Sequence, residues 1–180
     1  MGGGGGSSGT GSTLGTVTVG GKEGTFPLNV RTKMTPGLGG IDRYEMHIST
    51  PGIAGGEEFG KIEFVVNKAT GEASVRYINS IQTLKGQGVG ERLYGAAFAK
   101  AKSLGAKTFN SDSKVSESAA RTWRSIARKT GAVTEHKSTF NPGLKQYEAS
   151  KAVFSVNLSK ISGKQIQRMI RMVLVWGQPV

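Results

Sequence analysis

The sequence predicts a mixed α/β fold of the α+β kind, in which helices flank a mostly antiparallel sheet. From Thr25 onward, short runs rich in Val, Ile, Phe and Tyr are bounded by Gly, Pro or Asn, as in consecutive strands. After Gly88 the apolar residues instead recur every three or four positions, as on one face of a helix. A length of 180 residues with 36% hydrophobic residues is sufficient for one core.

The predicted strands come first along the chain. We expect them at residues 26–34, 44–50, 61–67 and 73–83. The segment Asn67-Lys68-Ala69-Thr70-Gly71 is typical of a hairpin loop, with the glycine at the position that needs a positive φ. The strands should therefore pair antiparallel in sequence order.

Two helices and the end of the sheet follow. Val89 begins an apolar stripe that ends at Leu104, and Gly105 is the expected stop. A short strand at residues 107–110 precedes a second helix, which Ser116 can cap and Gly131 can close. That second helix carries a stripe of three arginines, Arg121, Arg124 and Arg128, which we call the arginine stripe. We expect residues 133–140 and 147–158 to complete the sheet around the turn Asn141-Pro142-Gly143.

These patterns predict three segments. Residues 1–24 have the glycine-rich composition of a flexible arm, and residues 25–158 form the globular domain. Residues 159–180 should form a basic amphipathic helix. We expect that helix to pack on its own domain or on a sister subunit, with docking to a membrane or to nucleic acid as the alternatives. Its apolar face would consist of Ile166, Met169, Ile170, Val173 and Leu174.

The composition excludes several kinds of chemistry. There is no Cys, which excludes a disulfide framework, a thiolate zinc site and a Cys nucleophile. Two histidines are too few for a His-rich metal site, so we expect no metal. The sequence contains no apolar run of membrane-spanning length, and its beginning lacks the apolar stretch of a signal peptide. These features predict a cytoplasmic protein, or one packaged with other macromolecules.

The positive charge is concentrated in the second half of the chain. The formal net charge is +12, and residues 151–180 contain basic residues but no acidic one. Nucleic acid, acidic lipid, an acidic protein and a phosphorylated cofactor are all compatible with this balance.

A glycine-rich loop stands where a predicted strand meets a predicted helix. Its sequence is Leu84-Lys85-Gly86-Gln87-Gly88-Val89-Gly90. The amides of residues 87–90 can point together at an anion in front of the helix, and the glycines leave room for its close approach. The spacing matches neither the dinucleotide fingerprint nor a P-loop. The loop can therefore serve as a pyrophosphate cradle, or simply as a tight turn.

The loop resembles the acyl-CoA pyrophosphate loop of the GNAT superfamily of N-acetyltransferases, written Arg/Gln-x-x-Gly-x-Gly/Ala, with Lys85 in the first place. The order of elements around it is similar to that family over residues 43–158. The second helix is similar to the family's last helical motif, with its Ser-x-x-Ala start and its aromatic residue Trp123. The compact domain looks like members of the superfamily encoded by phages.

The resemblance implies an acetyl-CoA-dependent N-acetyltransferase acting on an amine of a protein or small molecule. In that family the strand end binds the pantetheine arm, and here it corresponds to Ser80, Ile81, Gln82 and Thr83. The loop amides take the pyrophosphate, with Lys85 adding a charge. The implied cofactor-binding residues of the loop are Lys85, Gly86, Gln87, Gly88, Val89 and Gly90.

The sequence departs from the family pattern in its acid and base residues. The family uses a carboxylate as base, directly or through water, and often a Tyr of the second helix as acid. Here that aromatic is Trp123, whose indole cannot give up a proton at a useful pKa. Candidate bases are Glu63, Glu72 and Asp112, and candidate hydroxyls are those of Tyr94, Ser111 and Ser113. Each carboxylate can equally be a solvated surface group.

The acceptor side departs from the family as well. The family places helices between its first two strands, whereas residues 34–60 are rich in Gly and Pro and fit no helix. Together with the basic tail, this leaves two alternatives open. One is a catalytically degenerate component of a larger assembly, such as a phage virion or ejected protein, held by partner chains through residues 1–24 and 159–180. The other is a basic accessory protein that binds nucleic acid through the arginine stripe and the basic tail.

Overall fold

The computed structural model describes residues 12–19, 24–49, 58–80, 88–170 and 172–174. They form a mixed α/β fold, as predicted. The three helices of this part of the chain are α1 (Val89–Ser103), α2 (Glu117–Thr130) and α3 (Gly163–Ile170). Its strands are β1 (Ser12–Val19), β2 (Gly24–Thr35), β3 (Ile41–Ser49), β4 (Glu58–Asn67), β5 (Glu72–Ser80), β6 (Thr108–Asn110), β7 (Lys114–Ser116), β8 (Val133–Glu135), β9 (Thr139–Asn141), β10 (Gln146–Glu148), β11 (Phe154–Asn157) and β12 (Met172–Leu174).

The main sheet is mostly antiparallel. Its strand order is β12-β1-β2-β3-β4-β5-β6-β11-β8. Among the strands of the described residues, only β1 with β12 and β5 with β6 pair in parallel. Strand β1 lies within the segment predicted as a flexible arm, and it pairs with β2 of the predicted globular domain. The sheet therefore runs across both boundaries of the predicted three-segment division.

The predicted hairpin loop and the predicted ends of the second helix are confirmed. Gly71 has φ +71° in the β4–β5 loop, where the Asn67 side chain accepts hydrogen bonds from the amides of Ala69 and Thr70. The Ser116 hydroxyl caps α2 by accepting from the amide of Ala119 at 3.1 Å. Gly131 ends that helix with φ +65°.

An aromatic core fixes α1 and α2 on one face of the sheet. Phe98 of α1 lies edge-on to Phe109 of β6, with ring centroids 5.0 Å apart. Trp123 of α2 stacks on Phe154 of β11 at 5.7 Å. All four side chains are fully buried. Because burial of large aromatic area dominates core energetics, these contacts hold both helices against the sheet.

The prediction that residues 133–140 and 147–158 complete the main sheet was wrong in part. Strands β8 and β11 do join it, but β9 and β10 form a separate three-stranded sheet with β7. The Asn141 side chain accepts from the amides of Gly143 and Leu144 and so closes a tight β9–β10 turn. The alternation of apolar and polar residues predicts a strand but does not identify its partner. Here β10 pairs with β7 and with β9 rather than with a strand of the main sheet.

The predicted tail helix was too long. Helix α3 ends at Ile170, and Val173 and Leu174 lie in β12, which pairs with β1. The side chains of Ile166, Met169 and Ile170 are buried, and α3 packs on α1. This part of the predicted tail helix therefore packs on its own domain, which was one of the expected arrangements.

Gly95 allows the close approach of α1 and α3. A Cβ atom added there would lie 3.0 Å from Cβ of Met169 and 3.2 Å from Cγ1 of Ile170. We expect Gly95→Leu to lower the free energy of unfolding by about 2 kcal/mol or more, because the added side chain overpacks this contact. Urea unfolding monitored by circular dichroism measures the change.

Gly163→Leu is the matched control, because nothing lies within 4 Å of a Cβ atom at Gly163. It should change the free energy of unfolding by less than about 0.5 kcal/mol. A Gly95→Leu variant as stable as this control would contradict the α1–α3 packing.

Candidate functional site

Strands β5 and β6 part after a short stretch of pairing. They pair in parallel only from Glu72–Thr108 to Ser74–Asn110. The β4–β5 register shifts between Glu63 and Phe64, which leaves Arg76 as an extra residue in β5. Such a bulge bends a strand locally. Within the described residues, the rest of β5 has no partner strand on the β6 side, so the sheet has an opening there.

A cleft of about 840 Å³ lies on the helix face of the sheet at this opening. We call it the helix-side cleft. It is bounded by the end of β5, the start of α1 and the first half of α2. Four of the predicted cofactor-binding residues line it: Ser80, Gly88, Val89 and Gly90. The predictions for Ile81, Gln82, Thr83, Lys85, Gly86 and Gln87 lie outside the described residues.

Glycine is needed at the start of α1. Gly88 caps the helix with φ +77°, a conformation that other residues rarely adopt. A Cβ atom there would lie 2.9 Å from a guanidinium nitrogen of Arg92, and that guanidinium donates to the Gly88 carbonyl oxygen at 2.8 Å. The first amides of a helix carry no intrahelical partner, so those of Val89 and Gly90 are available to a ligand.

The electrostatics of this cleft favour an anion. The N-termini of both α1 and α2 border it, and each carries partial positive charge. Arg121 adds a cation to its lining. The buried carboxylate of Glu91 accepts from the Lys129 ammonium at 2.7 Å and from the Ser125 hydroxyl at 3.4 Å, so its charge is balanced. Burial lowers the pKa of Arg92 to about 10, which still leaves it protonated at neutral pH.

A second cleft, of about 850 Å³, lies on the opposite face of the sheet. We call it the open-face cleft. The alternation along β5 and β6 directs Ser74 and Asn110 to this face, while Ala73 and Phe109 are buried under the helices. The cleft contains two of the three candidate bases, Glu72 and Asp112. Its charged lining also includes Arg76, Lys137 and Lys151.

The third candidate base, Glu63, lies outside both clefts. Its carboxylate accepts from the Lys61 ammonium at 2.7 Å and from the Arg43 guanidinium at 2.6 Å. These two cations, Lys61 first, hold the pKa of Glu63 below its ordinary value of 4.5. A carboxylate stabilised in this way is a weak base.

Residues on the open face of β2, β3 and β4 form a charged network. The Glu45 carboxylate lies 3.5 Å from the Lys61 ammonium, and His47 is 2.6 Å from the Glu58 carboxylate. A polar sheet face gives an apolar helix little to pack against. In the described part of residues 34–60, the chain forms a short 3-10 turn at Leu38–Gly40 and strand rather than a helix, consistent with the sequence.

Sequence reasoning missed two hydrogen-bonded groups. The Trp123 indole N–H donates to the Tyr94 hydroxyl at 3.2 Å beside the helix-side cleft. In the open-face cleft, His136 Nε2 lies 2.8 Å from the Ser155 hydroxyl, which donates to the Asn110 side-chain oxygen at 2.7 Å. No local signal links such residues, because they are far apart in the sequence and meet only through the sheet.

The hydroxyl of Ser111 has a structural role. It accepts from the amides of Val153 and Phe154 at 3.0 and 2.9 Å and donates to the carbonyl oxygen of Asp112. The arginine stripe is also partly engaged, since Arg124 forms a double hydrogen bond with the Glu135 carboxylate. In the described residues, no group of three His, Asp or Glu could hold a metal ion. No helix among them is both long and apolar enough to cross a membrane.

Comparisons with known proteins support the fold. No family model matches the sequence, and no curated protein matches it either. The structure is similar to that of an acetyltransferase from Bacillus cereus ATCC 14579, with a TM-score of 0.50, 13% identity and coverage of 66% of this chain and 75% of that one.

Two further solved structures are similar. Spermidine N-acetyltransferase from Vibrio cholerae, in complex with CoA and spermine, gives a TM-score of 0.49 at 15% identity, covering 66% of this chain and 67% of that one. The structure of nourseothricin acetyltransferase gives a TM-score of 0.46 at 17% identity, covering 73% of this chain and 72% of that one. The element order and the mostly antiparallel sheet are those of the GNAT fold.

The pairing of Glu63 predicts a pH-dependent stability. Because its pKa is lowered in the folded state, Glu63 stabilises the protein above its unfolded pKa, and the contribution disappears as pH falls through the folded pKa. Glu63→Gln should therefore unfold at lower urea concentration than the wild type at neutral pH. The difference should shrink as pH falls through the folded pKa of Glu63 and vanish at more acidic pH.

Glu72→Gln is the matched control, since Glu72 is exposed on the adjacent strand and has no ion pair within the described part of the chain. It should be as stable as the wild type at both pH values. A Glu63→Gln deficit that stays constant from neutral to acidic pH would contradict the assigned ion pairs.

Proposed function

We propose that this protein is an acetyl-CoA-dependent N-acetyltransferase. The observation that carries the proposal is the parting of β5 and β6 directly beside two helix N-termini. This arrangement offers backbone groups of a free strand edge and partial positive charge within one cleft. A ligand with an amide-bearing arm and a pyrophosphate matches both features.

The residues present fit acetyl-CoA. We infer that the β5 end, from Ser80 into residues 81–83, binds the pantetheine arm, and that the amides of residues 87–90 bind the pyrophosphate. Gly88 and Gly90 place no side chain in the way, and Thr122 is 3.6 Å from the position of a Cβ atom at Gly90. Lys85 would add charge to the loop. When bound, acetyl-CoA supplies an acetyl group activated as a thioester.

The acceptor amine would occupy the open-face cleft, on the other side of the sheet opening. An ammonium group must lose a proton before its nitrogen can act as a nucleophile. Glu72 and Asp112 line that cleft and are the stronger candidate bases, whereas Glu63 is committed to two cations. Asp112 also accepts from the amide of Ser113 at 2.6 Å, which fixes one of its oxygens.

The charges of the open-face cleft suggest an acceptor class. Arg76, Lys137 and Lys151 accompany the two carboxylates, so the cleft has no excess of negative charge. A polycation such as a polyamine would meet like charges there. We therefore favour an acceptor that carries an amine together with a negatively charged group, on a protein or on a small molecule.

Binding of acetyl-CoA to the full chain tests the proposal, with Gly88→Val as the site variant. The wild type should bind acetyl-CoA in isothermal titration calorimetry. Gly88→Val should weaken binding by about tenfold or more, because a side chain at φ +77° displaces the start of α1 and contacts Arg92.

Gly105→Val is the matched control. Gly105 follows the other end of α1 with φ +85°, and nothing lies within 4 Å of a Cβ atom there. Both substitutions strain a left-handed glycine, but only Gly88 borders the helix-side cleft. Wild-type protein that does not bind acetyl-CoA refutes the proposed function, and equal loss in both variants refutes the assigned site.

A further inference from the structure

Two segments of the chain contain basic residues but no acidic one. Residues 92–111 span most of α1 and all of β6, and residues 149–180 include β11, α3 and β12; neither range contains an Asp or a Glu. The fold brings these segments together. Helix α3 packs on α1, β11 pairs with β6, and the amide of Leu158 donates to the carbonyl oxygen of Lys107 at 2.9 Å. Cations from both segments therefore share one region of the molecule.

The exposed cations of this region form a surface that we call the basic patch. Its members are Lys102 of α1, Lys107 before β6, Lys160 after β11, and Lys164 and Arg168 of α3. The Lys102 ammonium donates to the carbonyl oxygen of Ile161 at 2.5 Å, which joins the end of α1 to the chain between Lys160 and α3. Lys164 and Arg168 are about one helical turn apart, so both point away from the buried side of α3.

The charges of the basic patch are not neutralised by described carboxylates. No Asp or Glu in the described part of the chain forms an ion pair with any of its five residues. The arginine stripe differs, because Arg121 and Arg124 lie 3.8 and 2.6 Å from the carboxylates of Glu117 and Glu135. A surface with charge of one sign attracts a partner of the opposite charge. The basic patch therefore suits a polyanion better than the arginine stripe does.

The surroundings of the basic patch favour nucleic acid over a membrane or a protein. An interfacial helix inserts its apolar face into lipid, but Ile166, Met169 and Ile170 of α3 are buried in the domain. A protein partner needs apolar or aromatic anchors at the centre of the interface. In the described residues, the exposed large apolar side chains lie on β2, β3, β5 and β9 or in the turns beside them. Phosphate oxygens require only cations and hydrogen-bond donors, which this surface offers.

We propose that the basic patch binds the phosphate backbone of duplex DNA without sequence preference. Single strands bind through bases stacked on aromatic side chains, and the five residues of the patch include none. Contacts to phosphate carry no sequence information directly. No residue of the patch lines either cleft, so this surface is separate from the proposed acetyl-CoA site and the inference does not depend on the proposed function.

Fluorescence anisotropy tests the proposal, with the full chain titrated into a labelled DNA duplex of about 20 base pairs. The wild type should bind with a dissociation constant of about 1 to 100 μM at physiological salt. Because bound cations release counterions from DNA, the logarithm of the association constant should fall with the logarithm of the salt concentration. The slope should be about −4 to −5 for five phosphate contacts.

The site variant combines Lys160→Gln, Lys164→Gln and Arg168→Gln. It should weaken duplex binding by about tenfold or more and make the salt slope shallower by about 3, because three phosphate contacts are lost. Lys102 is kept, since its ammonium bonds to the backbone of Ile161. The three substituted side chains are exposed, so the urea midpoint and the affinity for acetyl-CoA should match those of the wild type.

The matched control combines Lys33→Gln, Lys114→Gln and Lys145→Gln. These exposed lysines lie on β2, on β7 and in the β9–β10 turn, and none has an ion pair with a described carboxylate. The control removes the same charge as the site variant, but it should keep the wild-type salt slope. Equal weakening in both triple variants would assign the binding to net charge and overturn the role of the basic patch.

Three further arms distinguish other partners and sites. A single strand of the same length, and vesicles of phosphatidylglycerol and phosphatidylcholine at the same anion concentration, should each bind more weakly than the duplex. Saturating acetyl-CoA should not displace the duplex, because the basic patch lies outside the clefts. A wild type that does not bind the duplex overturns the proposal, as does tighter binding to the single strand or the vesicles, or displacement by acetyl-CoA.

Discussion

Among the described residues, most of β5 has no partner strand on the β6 side, and this is the constraint on which the candidate site depends. Pairing with β6 ends at Ser74, and the extra residue at Arg76 bends the strand where the edge becomes free. Within the described part of the chain, the backbone groups of this free edge have no partner strand on the β6 side, so they can hydrogen-bond with a ligand. The clefts on the two faces of the sheet give access to this opening from both sides.

The packing of the two long helices on the sheet places their N-termini beside the opening. The contacts of Phe98 with Phe109 and of Trp123 with Phe154 place α1 and α2 on the same face, so that both helices begin beside the opening. The partial charges of the two helix N-termini then act on one volume rather than on two. The opposite face carries Glu72 and Asp112 and supports no packed helix in the described residues. The two candidate bases therefore lie on the other face of the sheet from the two helix N-termini.

Local patterns predicted most of the fold because their causes are local. Gly71, Ser116 and Gly131 were assigned correctly, since a turn or a cap depends on a few neighbouring residues. The partner of a strand is decided elsewhere in the chain, which is why β9 and β10 were placed in the wrong sheet and why Val173 was assigned to a helix. In the candidate site, the position of Gly88 and Gly90 at the cleft could be predicted from the short glycine-rich motif. The link between Tyr94 and Trp123 depends on how two helices pack, and it could not be obtained from either segment alone.

The most direct test of the central claim, that the helix-side cleft at the parting of β5 and β6 binds acetyl-CoA, is amide hydrogen exchange of the full chain with and without CoA. The account predicts slowed exchange at the end of β5 near Ser80 and at the amides of Val89 and Gly90, with β9 and β10 of the small sheet unaffected. Unchanged exchange at these positions under saturating CoA, or protection confined to the open-face cleft, would contradict it.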